Sequence, residues 1–438
     1  MRRRLLPLGL AVLFVNPSFA QAVDAMRGNS FETGNLTAAR TAEPAGPLTL
    51  KSALELALGA NPELSAAGRE LEALEAIIVQ AQVRPNPEIS MLVEDTRRAT
   101  RATTLQLNQP IELGGKRAAR IAAAERGRDA VSLELEAKRA EIRSAVTAAF
   151  FDVLVAQERL WLAQASVELA QRATAAASRR VMAGKVSPVE ETKARVAEAG
   201  VRVELTLAVS ELATARKRLA ATWGNPSPRF EHAEGDPETL PALPALADLN
   251  ARLAASPAMT RARIEVARRQ ALAEIERSRR IPNLTVSLSV KRNEELGRDQ
   301  AILGVSIPIP VFDRNQGNLL EALRRTDKAR DELAAAEIRL SNQLAAAFER
   351  LNAARQEVEL LRRDILPGAQ SAFDAATKGF ELGKFSFLEA LDAQRTLFQA
   401  KSQYLRALAE AHRSAAEIER VLGAALPVST MAPAATKP

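Results

Sequence analysis

Few side chains in this sequence could perform covalent or metal chemistry. The chain has no cysteine, which excludes disulfides and thiolate metal sites, and it has only two histidines, His232 and His412. The segment from Gly379 to Phe385 superficially resembles a phosphate-binding loop, but it has one residue too few between its glycines and ends in phenylalanine instead of serine or threonine. We therefore expect no catalytic residue, no resident metal ion and no cofactor.

The two histidines and a nearby methionine do not form a cluster that could select a metal ion. His412 lies seven residues after Leu405 on an apolar helical seam, where a packed side chain is commoner than a metal ligand. His232 stands alone in a proline-rich segment, and Met182 is a single soft ligand. We expect His412 to be packed in the helical core.

Two short segments share a glycine, a lysine, a serine and a glutamate at identical spacing. The first runs from Gly184 to Glu190 and the second from Gly383 to Glu389. In each segment the glycine can end one helix and the serine can cap the next. The pattern predicts two tight helix–helix turns, and a turn with no further role would also account for it.

These turns belong to an internal repeat of about half the chain. Arg84 to Pro87 recurs as Arg280 to Asn283, and Ala148 to Leu154 recurs as Ala345 to Leu351, at a nearly constant separation. The predicted organisation is a signal peptide at 1–20, a polar lead-in at 21–47, a first repeat at 48–223, a proline-rich connector at 224–248, a second repeat at 249–423 and a disordered tail at 424–438.

The N-terminal segment predicts export from the cytoplasm. Arg2, Arg3 and Arg4 precede a short apolar stretch, Leu5 to Val15, and a small-residue cleavage pattern that ends at Ala20. The stretch is much shorter than the roughly 20 residues that a membrane span requires. Because residues 1–20 carry no acid, removing the three arginines lowers the formal net charge from +7 to +4, a surplus too small to indicate nucleic-acid binding.

Each repeat contains a stretch in which the apolar period changes from 3.6 residues to 2. Ile89, Met91 and Val93, for example, fall on one face of an extended segment. We predict strands near 88–95, 103–110, 284–292 and 301–311, which form two β-hairpins. The rest of the chain, which is rich in alanine and leucine and has few aromatic residues, predicts long helices with thin apolar seams.

Four strands with one apolar and one polar face fit the alternation of a transmembrane β-barrel. Four strands cannot close a barrel, however, and an open edge in hydrocarbon leaves backbone groups unpaired. Two copies would give eight strands, whose interior is filled by side chains, whereas three copies would give twelve strands and a water-filled bore. The alternative is a soluble hairpin at the end of a coiled coil.

The doubled helix–hairpin–long-helix plan, with glycine–serine–glutamate turns at the far ends, resembles the TolC-type outer-membrane efflux protein family over nearly all of residues 48–423. Within it, the sequence most resembles the outer-membrane components of cobalt–zinc–cadmium and nickel–cobalt–cadmium resistance systems. The resemblance implies a mainly α fold with a small β part: a trimer with a twelve-stranded barrel in the outer membrane of a Gram-negative bacterium and an α-helical barrel across the periplasm. It also implies an exit duct, without enzyme activity, for divalent heavy-metal cations in a tripartite proton-driven pump.

The resemblance further implies partners and site residues. The partners would be two more copies of the chain, outer-membrane lipid, a periplasmic adaptor and an inner-membrane resistance–nodulation–division transporter, without nucleic acid. The turns would be tips that meet the adaptor, formed by Gly184, Lys185, Val186, Ser187, Pro188, Gly383, Lys384, Phe385, Ser386 and Phe387. The positions matching the family's inner aperture are Glu190, Glu389 and Asp392, and three-fold symmetry would bring like carboxylates together into a ring that favours cations.

Two other functions remain open from the sequence. The same channel could export drugs or a secreted protein, since no residue distinguishes these cargoes from metal ions. The chain could also be a periplasmic coiled-coil adaptor, although adaptors normally carry a single helical hairpin within β-rich domains.

Overall fold

The computed structural model describes residues 43–44, 46–382, 384–424 and 426. The predicted signal peptide, most of the predicted lead-in, Gly383 and most of the predicted tail lie outside the described residues. Among the described helices, none is both long enough and apolar enough to span a membrane.

The two halves of the chain contain the same succession of helices and strands. The first half consists of β1 (Leu48–Thr49), α1 (Leu50–Ala60), α2 (Pro62–Gln82), β2 (Glu88–Glu94), β3 (Ala102–Ile111), α3 (Lys116–Met182), α4 (Pro188–Ala221) and β4 (Ala233–Glu234). The second consists of α5 (Leu246–Leu253), α6 (Pro257–Arg279), β5 (Leu284–Asn293), β6 (Arg298–Ser306), α7 (Gln316–Leu360), a π-helical segment (Leu361–Ile365), α8 (Leu366–Glu381) and α9 (Phe387–Leu422). Pro367, where the sequence predicts a kink, is the second residue of α8, which begins directly after the π-helical segment.

Equivalent caps begin and end the helices of the two halves. Asn61 accepts hydrogen bonds from the first-turn amides of α2, and Ser256 accepts one from the first turn of α6. Both helices have proline in the first turn, where the missing N–H has no helical partner to lose. Gly224 and Gly423, which follow α4 and α9, both have a left-handed backbone, with φ of 77° and 74°.

One antiparallel sheet joins the two halves. Its strand order is β2-β3-β5-β6, so the β3–β5 pair links the first hairpin to the second, and β2 and β6 are the edges. The register places Leu105 opposite Val290 and Leu107 opposite Leu288. A second, two-residue parallel pairing connects β1 with β4.

The last strand is shorter than its apolar alternation predicts. We expected it to continue to residue 311, but β6 ends at Ser306. Pro308 and Pro310 follow, and because proline has no backbone N–H it cannot donate to the strand ladder. Ile307 and Ile309 therefore lie beyond the strand, with 50% and 80% of their surface exposed.

The long helices form rods that pack side by side. α3 packs along α2, α4, α6 and α9, whereas α7 packs along α6 and α9. α4 packs mainly along α3. Among the described elements, α3 and α9 are thus the central rods, and α4 and the α7–α8 rod lie at the two outer sides.

Each half has its own hydrophobic core. In the first half the core is centred on Val146, Phe150 and Val153 of α3, with Leu219 of α4 and aromatic residues that follow α4. In the second half it is centred on Leu344 and Leu351 of α7 with Ile418 of α9, and it is largely aliphatic.

Candidate functional site

One face of the four-stranded sheet is apolar and exposed. The strand register aligns Ile89, Leu107, Leu288 and Leu303 in one row across the sheet, and Met91 with Leu105 and Val290 in the next. Ile89 and Leu303, at the two ends of the first row, are 75% and 74% exposed. A contiguous apolar face of this kind is expected to lie against lipid or another apolar partner, since it would be unfavourable in water.

The opposite face of the sheet is mainly polar. Gln106 lies opposite Ser289, and Asn108 lies opposite Ser287. Near the hairpin turns, the Lys291 ammonium group forms an ion pair with the Glu94 carboxylate across the sheet. Leu92 and Ile302 are apolar exceptions on this face. The predicted two-faced alternation is therefore present, and the polar face is suited to line a water-filled lumen.

The outer rod of the first half carries an exposed apolar seam. Val189, Val196 and Val203 recur every seven residues along α4 and are 57%, 68% and 60% exposed. On the other outer rod, Leu320 and Ile338 of α7 are 55% and 65% exposed. Heptad spacing is typical of a seam that packs against another helix.

The first predicted turn is a Schellman motif followed by a serine cap. The Gly184 N–H donates to the Val181 carbonyl, and the Lys185 N–H donates to the Arg180 carbonyl. Ser187 then accepts a long hydrogen bond, 3.4 Å, from the Val189 N–H at the start of α4. The residues predicted from Gly184 to Pro188 thus connect α3 to α4, with Pro188 as the first residue of α4, and all but Val186 are exposed.

The second turn has the same backbone bond but a stronger cap. The Lys384 N–H donates to the Gly379 carbonyl, which corresponds to the Lys185 bond of the first turn. Ser386 and Glu389 form a capping box: the Ser386 N–H donates to the Glu389 carboxylate at 2.6 Å, and the Glu389 N–H donates to the Ser386 hydroxyl at 3.3 Å. Phe387 begins α9.

At the two turns, the end of the α3–α4 pair contacts the end of the α8–α9 pair. The Arg180 guanidinium lies 4.4 Å from the centre of the Phe380 ring, and it donates a hydrogen bond of 2.8 Å to the Phe380 carbonyl. Ala177 and Ala194 are buried beside these residues, with Leu391 packed against them. The structure thus brings the two predicted turns together at one end of the rods.

The sequence did not indicate this contact between the turns. Arg180 lies four residues before Gly184, and a basic residue in the last turn of a helix is ordinary. Gly379 was considered only as part of a phosphate loop, yet a Cβ at this position would overlap the Phe385 ring. The glycine five residues before Lys384 was the one sequence feature that indicated close packing at the second turn.

The three predicted aperture carboxylates lie in the first turns of α4 and α9, but their environments differ. The Ser386 N–H holds the pKa of the Glu389 carboxyl below its usual value, so Glu389 is charged and serves as a helix cap. Glu190 is half-buried. Asp392 is exposed, and within the described part of the chain its carboxylate has no hydrogen-bond or ion-pair partner. Asp392 is therefore the least constrained of the three carboxylates.

His412 is packed, as its seam position predicts. It is 4% exposed, its ring is stacked 3.4 Å from the Phe151 ring, and its Nε2 lies 2.9 Å from the Pro237 carbonyl oxygen. Burial lowers the pKa of the imidazole below its usual value. Among the described residues, no group of three or more histidine, aspartate or glutamate side chains could hold a metal ion.

Comparison with known proteins identifies the family. The model of the family described as "Outer membrane efflux protein" matches residues 53–225 and 249–424, one match for each half of the chain. The cobalt-zinc-cadmium resistance protein CzcC of Cupriavidus metallidurans is 51% identical over 97% of this chain and 100% of its own length. The nickel-cobalt-cadmium resistance protein NccC of Alcaligenes xylosoxydans xylosoxydans is 26% identical over 76% of this chain and 71% of its own.

Solved structures share the fold. A crystal structure of CusC superposes with a TM-score of 0.72 and 19% identity, covering 86% of this chain and 92% of that one. The outer membrane protein VceC from Vibrio cholerae gives a TM-score of 0.72 and 18% identity, covering 86% and 96%. The predicted resemblance is confirmed, and the alternative of a periplasmic adaptor is set aside. The chain belongs to the outer membrane efflux protein family.

Proposed function

We propose that three copies of this chain form the outer-membrane exit duct of a tripartite, proton-driven efflux pump that exports divalent heavy-metal cations. The observation that carries the proposal is the sheet with an apolar face, a polar face and two unpaired edges. Such a sheet is stable in a membrane only when other strands complete it.

Each lateral side of the chain has both an unpaired strand edge and an outer rod without a further neighbour among the described elements. Strands β2 and β6 are the sheet edges, and α4 and the α7–α8 rod are the outer rods. Pairing β2 of one copy with β6 of the next would also bring the valine seam of α4 towards the α7–α8 rod of that copy. One heterologous contact, repeated around a ring, would therefore close both the sheet and the rods.

Three copies fit this contact better than two. Two copies would give eight strands, and the interior of an eight-stranded barrel is filled by side chains. Three copies would give twelve strands and a bore. The 67 residues of α3 correspond to a rod of about 100 Å at 1.5 Å per residue, long enough for an extension across the periplasm.

The proposed inner aperture lies at the joined turns. Three copies would bring three Asp392 carboxylates, together with those of Glu190 and Glu389, around one axis. Like carboxylates at close range repel one another and attract cations. The surrounding tips, which comprise residues 184–188 and 383–387, would contact the periplasmic adaptor, and the adaptor would connect the duct to an inner-membrane transporter of the resistance–nodulation–division class.

The proposed cargo follows from the relatives. CzcC, which matches nearly the whole chain, is named for resistance to cobalt, zinc and cadmium, and NccC for nickel, cobalt and cadmium. A pyoverdine export outer membrane protein, OpmQ of Pseudomonas aeruginosa, is 25% identical over 59% of this chain and 56% of its own length. The higher identity and coverage of CzcC favour metal cations over an organic cargo such as a drug or a siderophore.

Deletion of the gene tests the cargo. We expect the deletion strain to lose growth on cobalt, zinc, cadmium or nickel salts and to keep its resistance to a panel of hydrophobic antibiotics. Complementation with the wild-type gene should restore growth. Loss of antibiotic resistance with unchanged metal tolerance would replace the metal cargo with a drug cargo.

Conductance in planar bilayers tests the aperture. Neutralising both carboxylates in the E389Q/D392N variant should raise the leak conductance of the closed channel, because it removes charges that hold bound cations in the aperture. D392N alone should account for most of this change, since the Glu389 carboxylate also caps α9. The control is Asp327→Asn on α7, which removes a charge that is paired with Arg324 and Arg330. Unchanged conductance in the double variant would contradict this role of the carboxylates.

A further inference from the structure

The turn of the first hairpin exposes three arginines close to the apolar face of the sheet. Arg97, Arg98 and Arg101 lie between β2 and β3, and all three are exposed. The turn begins one residue after the end of β2, so the arginines follow the apolar rows at the end of the sheet that is remote from the helices. An apolar surface bordered by guanidinium groups matches a partner that has both acyl chains and anionic groups.

The strand register places one of these arginines on the apolar side. The Glu294 N–H donates to the Arg101 carbonyl at 3.0 Å, which continues the ladder one step beyond the Ala102–Asn293 pair. Because side chains alternate along a strand, Arg101 falls on the same face as Thr103 and Leu105. It therefore extends the face that carries the exposed apolar rows.

The turn is held in one conformation by its own aspartate. Asp95 has a left-handed backbone, with φ of 59°, and its carboxylate accepts hydrogen bonds from the Arg97 N–H, at 3.0 Å, and from the Thr100 hydroxyl. These bonds lower the pKa of the Asp95 carboxyl. Within the described chain, the guanidinium groups of the three arginines have no ion-pair partner.

In the second hairpin, at the same end of the sheet, Arg292 and Lys291 are paired with acids, and Arg298 lies opposite Asn293 on the polar face. Arg292 lies 3.3 Å from an oxygen of Asp299 and 3.6 Å from one of Glu294. Lys291 pairs with Glu94 of the first hairpin. The unpaired positive charge on the apolar side is thus concentrated in the turn of the first hairpin.

We propose that Arg97, Arg98 and Arg101 bind the phosphate groups of lipopolysaccharide in the outer leaflet, with the acyl chains lying on the adjacent apolar rows. The inference rests on the proposed function, because it requires the sheet to be inserted with its turns at the outer surface. Guanidinium groups form charge-assisted, bidentate hydrogen bonds with phosphate. A free phosphate ion would contact the arginines but would bury none of the apolar rows.

Lipid binding to the full-length protein in detergent micelles tests this inference. The probe is fluorescent diphosphoryl lipid A, and the competitors are unlabelled monophosphoryl lipid A, phosphatidylcholine and inorganic phosphate. One basic residue near an anionic lipid surface contributes on the order of fivefold in binding, so the triple variant R97Q/R98Q/R101Q should bind about 100-fold more weakly. The matched control is R292Q, which removes one arginine that is already paired at the same end of the sheet and should change the affinity less than twofold.

The competitors distinguish the sources of phosphate. We expect monophosphoryl lipid A to compete less well than unlabelled diphosphoryl lipid A, and phosphatidylcholine and inorganic phosphate to compete weakly. Equal affinity of the triple variant and the wild type would overturn the inference, and so would full competition by inorganic phosphate at the concentration of the lipid.

A second measurement separates this inference from the proposed function. The wild type and the triple variant are compared for oligomeric state and for conductance in phosphatidylcholine bilayers. If both form trimers that conduct while lipid A binds them equally, the inference fails and the proposed duct stands. If the wild type neither assembles nor conducts, the proposed function fails, and the inference fails with it.

Discussion

At one position of the repeat the two halves bury side chains of very different size. Phe150 of α3 is 1% exposed and packs edge-to-face on Phe151, whereas the equivalent residue of α7, Ala347, is a buried alanine. The next pair, Phe151 and Phe348, is half-buried in both halves. The larger buried side chain thus lies in α3, a central rod with neighbours along several sides, while α7 is an outer rod.

The second pair of rods differs in burial at an equivalent position. His412 of the central rod α9 is buried, and the corresponding position of the outer rod α4, Ala213, is exposed. At this pair, burial follows the place of a rod in the arrangement more closely than the residue type. The outer rods retain apolar surface, which is the surface that another copy would cover in the proposed trimer.

The largest expected difference between the halves is in their cores. Phe150→Ala should lower the free energy of unfolding by about 3–5 kcal/mol, because it removes a fully buried ring and leaves a cavity. Phe348→Ala, which truncates the half-buried ring on the outer rod α7, should lower it by about 1–2 kcal/mol, since part of the ring is already exposed. The denaturant midpoint of the purified protein measures both changes.

Equal losses of stability for the two phenylalanine variants would contradict the expected difference in burial. They would indicate that the exposed side of Phe348 is covered in solution by another copy. Repeating the measurement over a range of protein concentrations would separate this effect, because stability that depends on a partner subunit changes with concentration.

The glycines that end the two halves should differ by less. Gly224→Ala places a Cβ at a left-handed φ and 3.2 Å from Cγ of Pro62, which should cost about 1–2 kcal/mol. Gly423→Ala has the same backbone strain, and its Cβ would also overlap the ring of Pro257, which should add about 1–3 kcal/mol. Thermal unfolding of the two variants measures the difference. A larger loss for Gly224→Ala would show that the ring of Pro257 moves away freely.

Much of this architecture could be predicted from the sequence because it depends on local periodicity. The change of apolar period located the hairpins, and the repeated glycine and serine located both turns. The end of β6 was predicted wrongly because Ile307 and Ile309 continue the alternation of the strand, while the neighbouring prolines cannot continue its hydrogen bonds.

Contacts between distant segments could not be predicted in the same way. Arg180 and Phe380 are 200 residues apart, and neither has an unusual neighbour in the sequence. The division into central rods, α3 and α9, and outer rods, α4 and α7, was equally inaccessible, since the two repeats have similar sequence patterns. Both depend on which rods become neighbours, and periodicity within one helix does not contain that information.

The buried histidine of the central rod should make the fold sensitive to acid. Burial lowers the pKa of His412 in the folded chain, so the unfolded chain binds the proton more readily. The stability is therefore complete above the usual histidine pKa and falls as the pH decreases below it. Unfolding midpoints between pH 5 and 8 should show a decline that is absent in His412→Gln, with the exposed His232→Gln as control. An identical decline in His412→Gln would assign the effect to other groups.

The smallest expected difference is between the two helix caps at the joined turns. Ser386→Ala removes one side of a capping box and should cost about 1 kcal/mol, whereas Ser187→Ala removes a single long hydrogen bond and should cost a few tenths. Hydrogen exchange of the first-turn amides of α9 and α4 resolves effects of this size, which global unfolding would miss.

Because the Glu389 carboxyl has a lowered pKa, its contribution to the cap is present above the usual carboxyl pKa and is lost as the pH falls through the lowered value. Acid should therefore increase exchange at the start of α9 more than at the start of α4, and equal increases would mean that the capping box does not distinguish the two tips.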